Sequence, residues 1–346
     1  MESPFTPPSH PRVQDSPYCG RRGGQSRPLP LSVSSFQPYR VPLLPDDHVA
    51  EDQTPLHSHS ISFEGPPTEL NRSYQSLLQL WISKMAEISQ VESDDGISWY
   101  VEQSGSGPHI VLIPSGEGDC HSFRALANLL SPAFTVTTFD MPGFSRTIAP
   151  ASALEALAPA KGADQIIALL NKLDIPEATF YGSSSGGLFA LALLQRYEER
   201  VERILIHEVP MHVIGGLRDW VDLPPSEDSK LIAHCKGVFA NVMNEDAVAW
   251  ESLGPDYHQR LEKNFVTWVK TYMPVVDDAK WDKEELKAKK DRINWTLGGL
   301  MPLGIFYENI IVATEAGIAI KVLNCKHFPY VSIPGALAEY IRECCK

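Results

Sequence analysis

Residues Gly182-Ser183-Ser184-Ser185-Gly186 fit the pattern G-x-S-x-G with Ser184 at its centre. That pattern suits a nucleophile carried on a sharp strand-to-helix turn. The flanking glycines let strand and helix pass too close for side chains, so the Ser184 hydroxyl projects while those of Ser183 and Ser185 do not. The backbone N–H of Ser185 then points to where negative charge develops on an attacked carbonyl. A second donor must come from the loop after an earlier strand, and "LIPSGEG" supplies one in Gly116. A plain Gly/Ser turn is the competing reading. Against it stand a strand before the turn, Ala178 to Tyr181, and a helix after it, Gly187 to Tyr197.

A serine hydroxyl is a poor nucleophile at neutral pH, so a histidine must take its proton and an acid must orient that histidine. Of the eleven histidines, only His327 follows the last strand, "IAIKVLN", and precedes a terminal helix. The order serine, acid, histidine puts the base there. His207 and His121 are rivals, each read more simply as a packed or surface imidazole. The acid is sought after the strand next but one to the serine turn, yet "INWTLGGLMPLGIF" contains no Asp or Glu. Elimination and position leave Glu208, in "LIHEVP" at the end of the neighbouring strand, within reach of the same histidine. Asp140, in "FDMPGFSRT", also ends a strand, but a tight Pro-Gly turn follows and the acid is read as fixing that loop. The chemistry is acyl transfer through an acyl-serine, with no metal and no cofactor.

The elements around these residues alternate. "EISQV" and "ISWYVEQ" flank "SDDG" as a hairpin. Then "HIVLIP", a helix through Phe123 to Leu130, "FTVTTFD", a helix over Ala163 to Leu173, and the serine-bearing strand follow in turn. Such strand–helix alternation with apolar strands predicts an α/β fold with a mostly parallel central sheet covered on both faces. Its ligand site lies at the C-terminal ends of the strands. A helical stretch, including Asp228 to Val242 and His258 to Tyr272, interrupts the pattern as a helical cap over the serine. The expected organisation is a disordered leader over 1–84, the first part of the core over 85–210, the cap over 211–294, and the last strands with the C-terminal helix over 295–346. The leader is rich in Pro, Ser and Gly and lacks an apolar period, apart from a short amphipathic stretch from Leu70 to Lys84.

Composition narrows the partners. A net charge of -13 over 346 residues, with no basic tract, argues against nucleic acid. No apolar run reaches membrane-spanning length and no secretory signal opens the chain, so a soluble, cytoplasmic protein is expected. The six cysteines have no metal-ligand spacing and are read as reduced thiols. The apolar and aromatic cap implies a small-molecule partner, an apolar ester or lactone. A homodimer is left open.

The chain also resembles a specific group, the fungal zearalenone hydrolases, which are lactonases of the α/β-hydrolase superfamily. "GISWYVEQSGSGP", "VTTFDMPGFSR", "GSSSG", "HEVP", "NWTLGG", "NIIVATEAG" and "KHFPYVS" carry the resemblance from about Met85 onward. It implies opening of a macrocyclic resorcylic lactone, followed by spontaneous loss of CO₂ from the acid product. It implies Ser184 as nucleophile, Glu208 as orienting acid, His327 as base, and Gly116 and Ser185 as oxyanion donors, in agreement with the assignments above. It adds Trp268, in "NFVTWVKTY", as a substrate contact. The chain departs from the group at Ser115, where the lactonases carry Asp, and in "LMPLGIF", and both changes bear on the substrate. Another polyketide ester, or a ligand receptor on the same fold with little turnover, are the rival functions.

Overall fold

The computed structural model of the chain describes residues 86–212, 218–279, 281–302 and 304–346. The expected leader and its amphipathic stretch lie outside them. Eight strands form one sheet: β1 (Glu87–Glu92), β2 (Ser98–Gly105), β3 (His109–Ile113), β4 (Thr135–Phe139), β5 (Ala178–Ser183), β6 (Val201–His207), β7 (Ile293–Gly298) and β8 (Ile320–Leu323). Their spatial order is β1-β2-β4-β3-β5-β6-β7-β8. The first hairpin pairs antiparallel, β2 pairs antiparallel with β4, and every other pairing is parallel. The α/β expectation with a mostly parallel sheet is borne out.

The order places the site. From β3 the chain goes to β4 on one side, then returns to β5 on the other, so the crevice beyond the ends of β3 and β5 is a topological switch point. Pro114 and the loop after it leave β3 there, and Ser184 leaves β5 there. All six residues of β5 are buried, which requires covering layers on both faces. Helices α1 (Arg124–Leu130), α2 (Pro159–Lys172) and α3 (Ser185–Arg196) belong to those layers. Helix α2 starts four residues before the sequence-based expectation, because Pro159 at its first position is pre-set for a helix start.

Between β6 and β7 lie helices rather than strands. Helix α4 (Asp228–Gly237) runs on through a π-helical turn, Val238–Val242, and α5 (Pro255–Thr267) through a second, Trp268–Tyr272. The second turn carries Trp268 and buries it. Strand β7 opens at Ile293, so residues 293 and 294 are part of the sheet. Helices α6 (Tyr307–Ala316) and α7 (Pro334–Cys344) flank β8 in sequence. No helix among the described residues is long and apolar enough to cross a membrane.

Candidate active site

Ser184 sits between β5 and α3 with φ 51° and ψ -122°. A side chain seldom takes this conformation, and local strain of order 1–3 kcal/mol is typical of it. Two backbone bonds hold it: Ser184 N–H donates to the His207 carbonyl at 2.8 Å, and Gly187 N–H donates to the Ser184 carbonyl at 2.8 Å. The flanking glycines are required sterically. A Cβ on Gly182 would lie 2.3 Å from the Gly186 carbonyl oxygen, and one on Gly186 would lie 2.4 Å from that of Ile113. Ser183 points away, its Oγ donating to the His327 carbonyl at 3.3 Å, and Ser185 opens α3.

His327 and Ser184 line one cavity together with Ser185, Met243, Trp268 and Phe306. Beneath it, His327 Nδ1 meets Glu208 Oε2 at 2.6 Å, and Gly298 N–H donates to Glu208 Oε1 at 2.8 Å. Both oxygens of this buried carboxylate are therefore used. Burial pushes the Glu208 carboxyl up. The bond from His327, the charges of His207 and His327, and the Gly298 N–H together outweigh burial and leave it below its ordinary value. With Nδ1 engaged, Nε2 is the ring nitrogen left to exchange a proton. The Phe306 ring stacks on the imidazole at 4.9 Å with an 8° interplanar angle, and the backbone N–H of His327 donates to the Met243 carbonyl at 3.0 Å, which ties the His327 backbone to the cap.

The rivals are occupied elsewhere. His207 is fully buried, bonded through Nδ1 to Thr296 and through Nε2 to the Lys326 carbonyl. Burial drops its pKa to about 4, so it is neutral near pH 7 and carries charge only in the acid range where Glu208 itself titrates. His121 stacks on Tyr257 at 5.7 Å. Asp140 accepts from Cys120 N–H and forms a two-point pair with Arg146.

Gly116 follows β3, and Trp268 of the cavity wall lies against it. A Cβ there would lie 2.6 Å from Trp268 Nε1, so the indole rests on the glycine. Gly116 N–H meets Ser115 Oγ at 2.6 Å, which gives the departing residue Ser115 a place beside the expected oxyanion donor. Sequence reasoning missed Asn264, which clamps this loop from the cap: its Nδ2 donates to the Glu117 carbonyl at 2.8 Å, and its Oδ1 accepts from Ser145 N–H at 3.0 Å. It also missed Phe306 and Glu117. An acid inside a Gly-rich oxyanion loop was the one visible signal. Among the described residues no cluster of three or more His, Cys, Asp or Glu could hold a metal ion.

A family model for the α/β-hydrolase fold matches residues 108–261. A zearalenone hydrolase of Bionectria ochroleuca is 37% identical over 259 residues, 74% of this chain and 96% of its own. One of Cladophialophora bantiana is 39% identical over 257 residues, covering 74% of this chain and 95% of its own. Among solved structures, an α/β hydrolase from Nostoc superposes with a TM-score of 0.63 at 15% identity, over 75% of this chain and 98% of its own. An enzyme degrading N-acyl homoserine lactones gives 0.53 at 21%, over 74% and 99%. At those identities the structures speak to the fold alone.

Proposed function

Since the chain belongs to the zearalenone hydrolase family, serine hydrolases of esters and lactones on the α/β-hydrolase fold, we propose that its substrate is a resorcylic macrolactone of the zearalenone type. Ser184 Oγ attacks the ester carbonyl carbon while His327 Nε2 takes its proton. Gly116 N–H and Ser185 N–H receive the oxyanion, and Glu208 holds the imidazole in the tautomer that accepts at Nε2. Collapse expels the alkoxide, which takes the proton from His327. Water, activated by the same nitrogen, then releases the carboxylic acid and restores Ser184. Trp268, whose indole covers Gly116, contacts the bound lactone.

The observation that carries this reading is the 2.6 Å contact between Glu208 and His327, with His327 and Ser184 on one cavity whose walls include Met243, Trp268, Met273, Val276 and Phe306, with His212 as a further polar group. An apolar wall with few polar groups suits an apolar ester. The helical stretch between β6 and β7 serves as the cap, residues 293 and 294 belonging to the sheet, because Asn264, Met243 and Trp268 reach the core from it. A cytoplasmic location and a homodimer complete the reading. Free thiols at Cys120, Cys235 and Cys325 suit the former, and the edge of β8, unpaired among the described residues, suits the latter.

The test is chromatography of zearalenone and an aryl acetate with wild type and Ser184→Ala. The variant should lose about 10⁴-fold or more on both. Rapid acetate cleavage by wild type with an untouched macrolactone would overturn the lactonase reading and leave an ester hydrolase for another polyketide.

A further inference from the structure

Glu117, one residue beyond Gly116, is buried at 1% exposure and takes no part in the steps above. Its Oε1 accepts from the Tyr330 hydroxyl at 2.5 Å and from Ser122 Oγ at 3.1 Å. Its Oε2 is buried, without a hydrogen-bond partner among the described residues. No cation pairs with it among the described residues. An ionised carboxylate buried in this way costs several kcal/mol, and the ordinary escape is to keep the proton. Two more polar atoms nearby, the phenol oxygens of Tyr181 and Tyr257, are buried and have no partner among the described residues. Both phenols lie near enough to Glu117 that a negative charge on it would raise their pKa values further.

The place matters as much as the chemistry. Tyr330 lies three residues after His327, Tyr181 three before Ser184, and Tyr257 is on α5 of the cap. The Glu117 backbone carbonyl is held by Asn264 on that same helix. One carboxyl thus meets the elements that carry base, nucleophile, oxyanion donor and cap.

We propose that Glu117 is a positioning residue kept as a neutral carboxylic acid, which ties the oxyanion loop to the His327 loop and sets the direction of the Gly116 N–H. Ionisation would put a negative charge beside the site where the oxyanion forms, in a low-dielectric interior that screens it poorly. Burial raises the Glu117 pKa, while the hydrogen bonds from Tyr330 and Ser122 pull the other way without cancelling it. The other charged groups near the cluster are Glu208, which acts on Tyr181, and Asp119, Arg146 and Arg260, where Asp119 pairs with Arg146 at 3.0 Å and with Arg260 at 2.6 Å. His121, stacked on Tyr257, is held below its ordinary pKa by burial.

The inference rests on Gly116 as an oxyanion donor, but one of its readouts does not need catalysis. An acid with a raised folded-state pKa costs no stability below its unfolded value and lowers stability as pH rises from there to the folded value. Glu117→Gln should therefore unfold at the same temperature as wild type near pH 4, and about 2–4 °C or more higher at pH 8.5. With an aryl acetate, wild-type kcat should fall at alkaline pH relative to Glu117→Gln by about tenfold, with KM unchanged. Tyr330→Phe removes a bond that favours the ionised form, so its alkaline loss should move to higher pH. A Gln variant less stable than wild type at pH 8.5, or alkaline limbs that coincide in all three proteins, would overturn the proposal. Retained activity in Ser184→Ala would instead overturn the hydrolase mechanism and leave the unfolding result standing.

Discussion

On the acid–base side of the Ser184 cavity, Glu208 gives one oxygen to Gly298 N–H and the other to His327. On the oxyanion side, Glu117 gathers two hydroxyls on one oxygen and leaves the other bare. Both carboxyls are buried, and burial pushes both pKa values up. At Glu208 the imidazole neighbours and the amide donor overcome that push, and at Glu117 two neutral hydroxyls do not. Asp119, two residues from Glu117, marks the same boundary from the charged side. It is also buried, yet Arg260, Arg146 and Ser145 hold its carboxyl below the ordinary value. The charge of a buried acid here follows the donors that converge on it, and depth alone does not set it.

Glu208→Gln should break the acid–base side hardest. The amide would offer His327 Nδ1 a donor where it needs an acceptor, so kcat should fall by about 10²–10⁴ with KM little changed. Near-wild-type kcat would show that the imidazole is oriented by something else. The same variant sharpens the contrast with Glu117 through unfolding. A depressed folded-state pKa gives stability that is present above the ordinary carboxyl pKa and lost as pH falls through the folded value, so the two glutamates should bias pH-dependent unfolding in opposite senses.

Gly116→Ala tests the oxyanion side. Its Cβ would land 2.6 Å from Trp268 Nε1, which must move or tilt the loop. We expect kcat/KM on the macrolactone to fall by about tenfold to a hundredfold, since one or two contacts are worth about 1–3 kcal/mol each. The aryl acetate, which does not need the indole, should lose less. Equal losses would mean that the loop, and not Trp268, is what the methyl disturbs. Ser183→Ala touches both sides least. Its hydroxyl makes a single 3.3 Å bond to the His327 carbonyl, so kcat on either substrate should stay within about threefold of wild type. A dead Ser183→Ala would mean that the turn presents the wrong serine.

Much of the site is legible in the chain. The residue order G-x-S-x-G between an apolar strand and a helix predicts the turn, because only glycines fit where β5 and α3 cross. His327 is found by its place after the last strand, and Glu208 by the empty position after β7. The structure puts both residues at one cavity because a parallel sheet delivers strand ends to one edge, so position along the chain becomes position in space. Glu117, Asn264 and Phe306 have no such address. Glu117 is an ordinary acid in a Gly-rich loop, 213 residues from the Tyr330 that meets it. Asn264 is 147 residues from the carbonyl it clamps.

The sequence by itself determined the α/β alternation, the serine turn and the family, since each depends on local spacing and backbone geometry. Tertiary structure alone decided which buried acid is charged and which is neutral, and that the Trp268 indole lies on Gly116. Those outcomes depend on which donors and rings from distant segments converge in a water-free interior, where an unmet polar atom is costly and a met one is held fast.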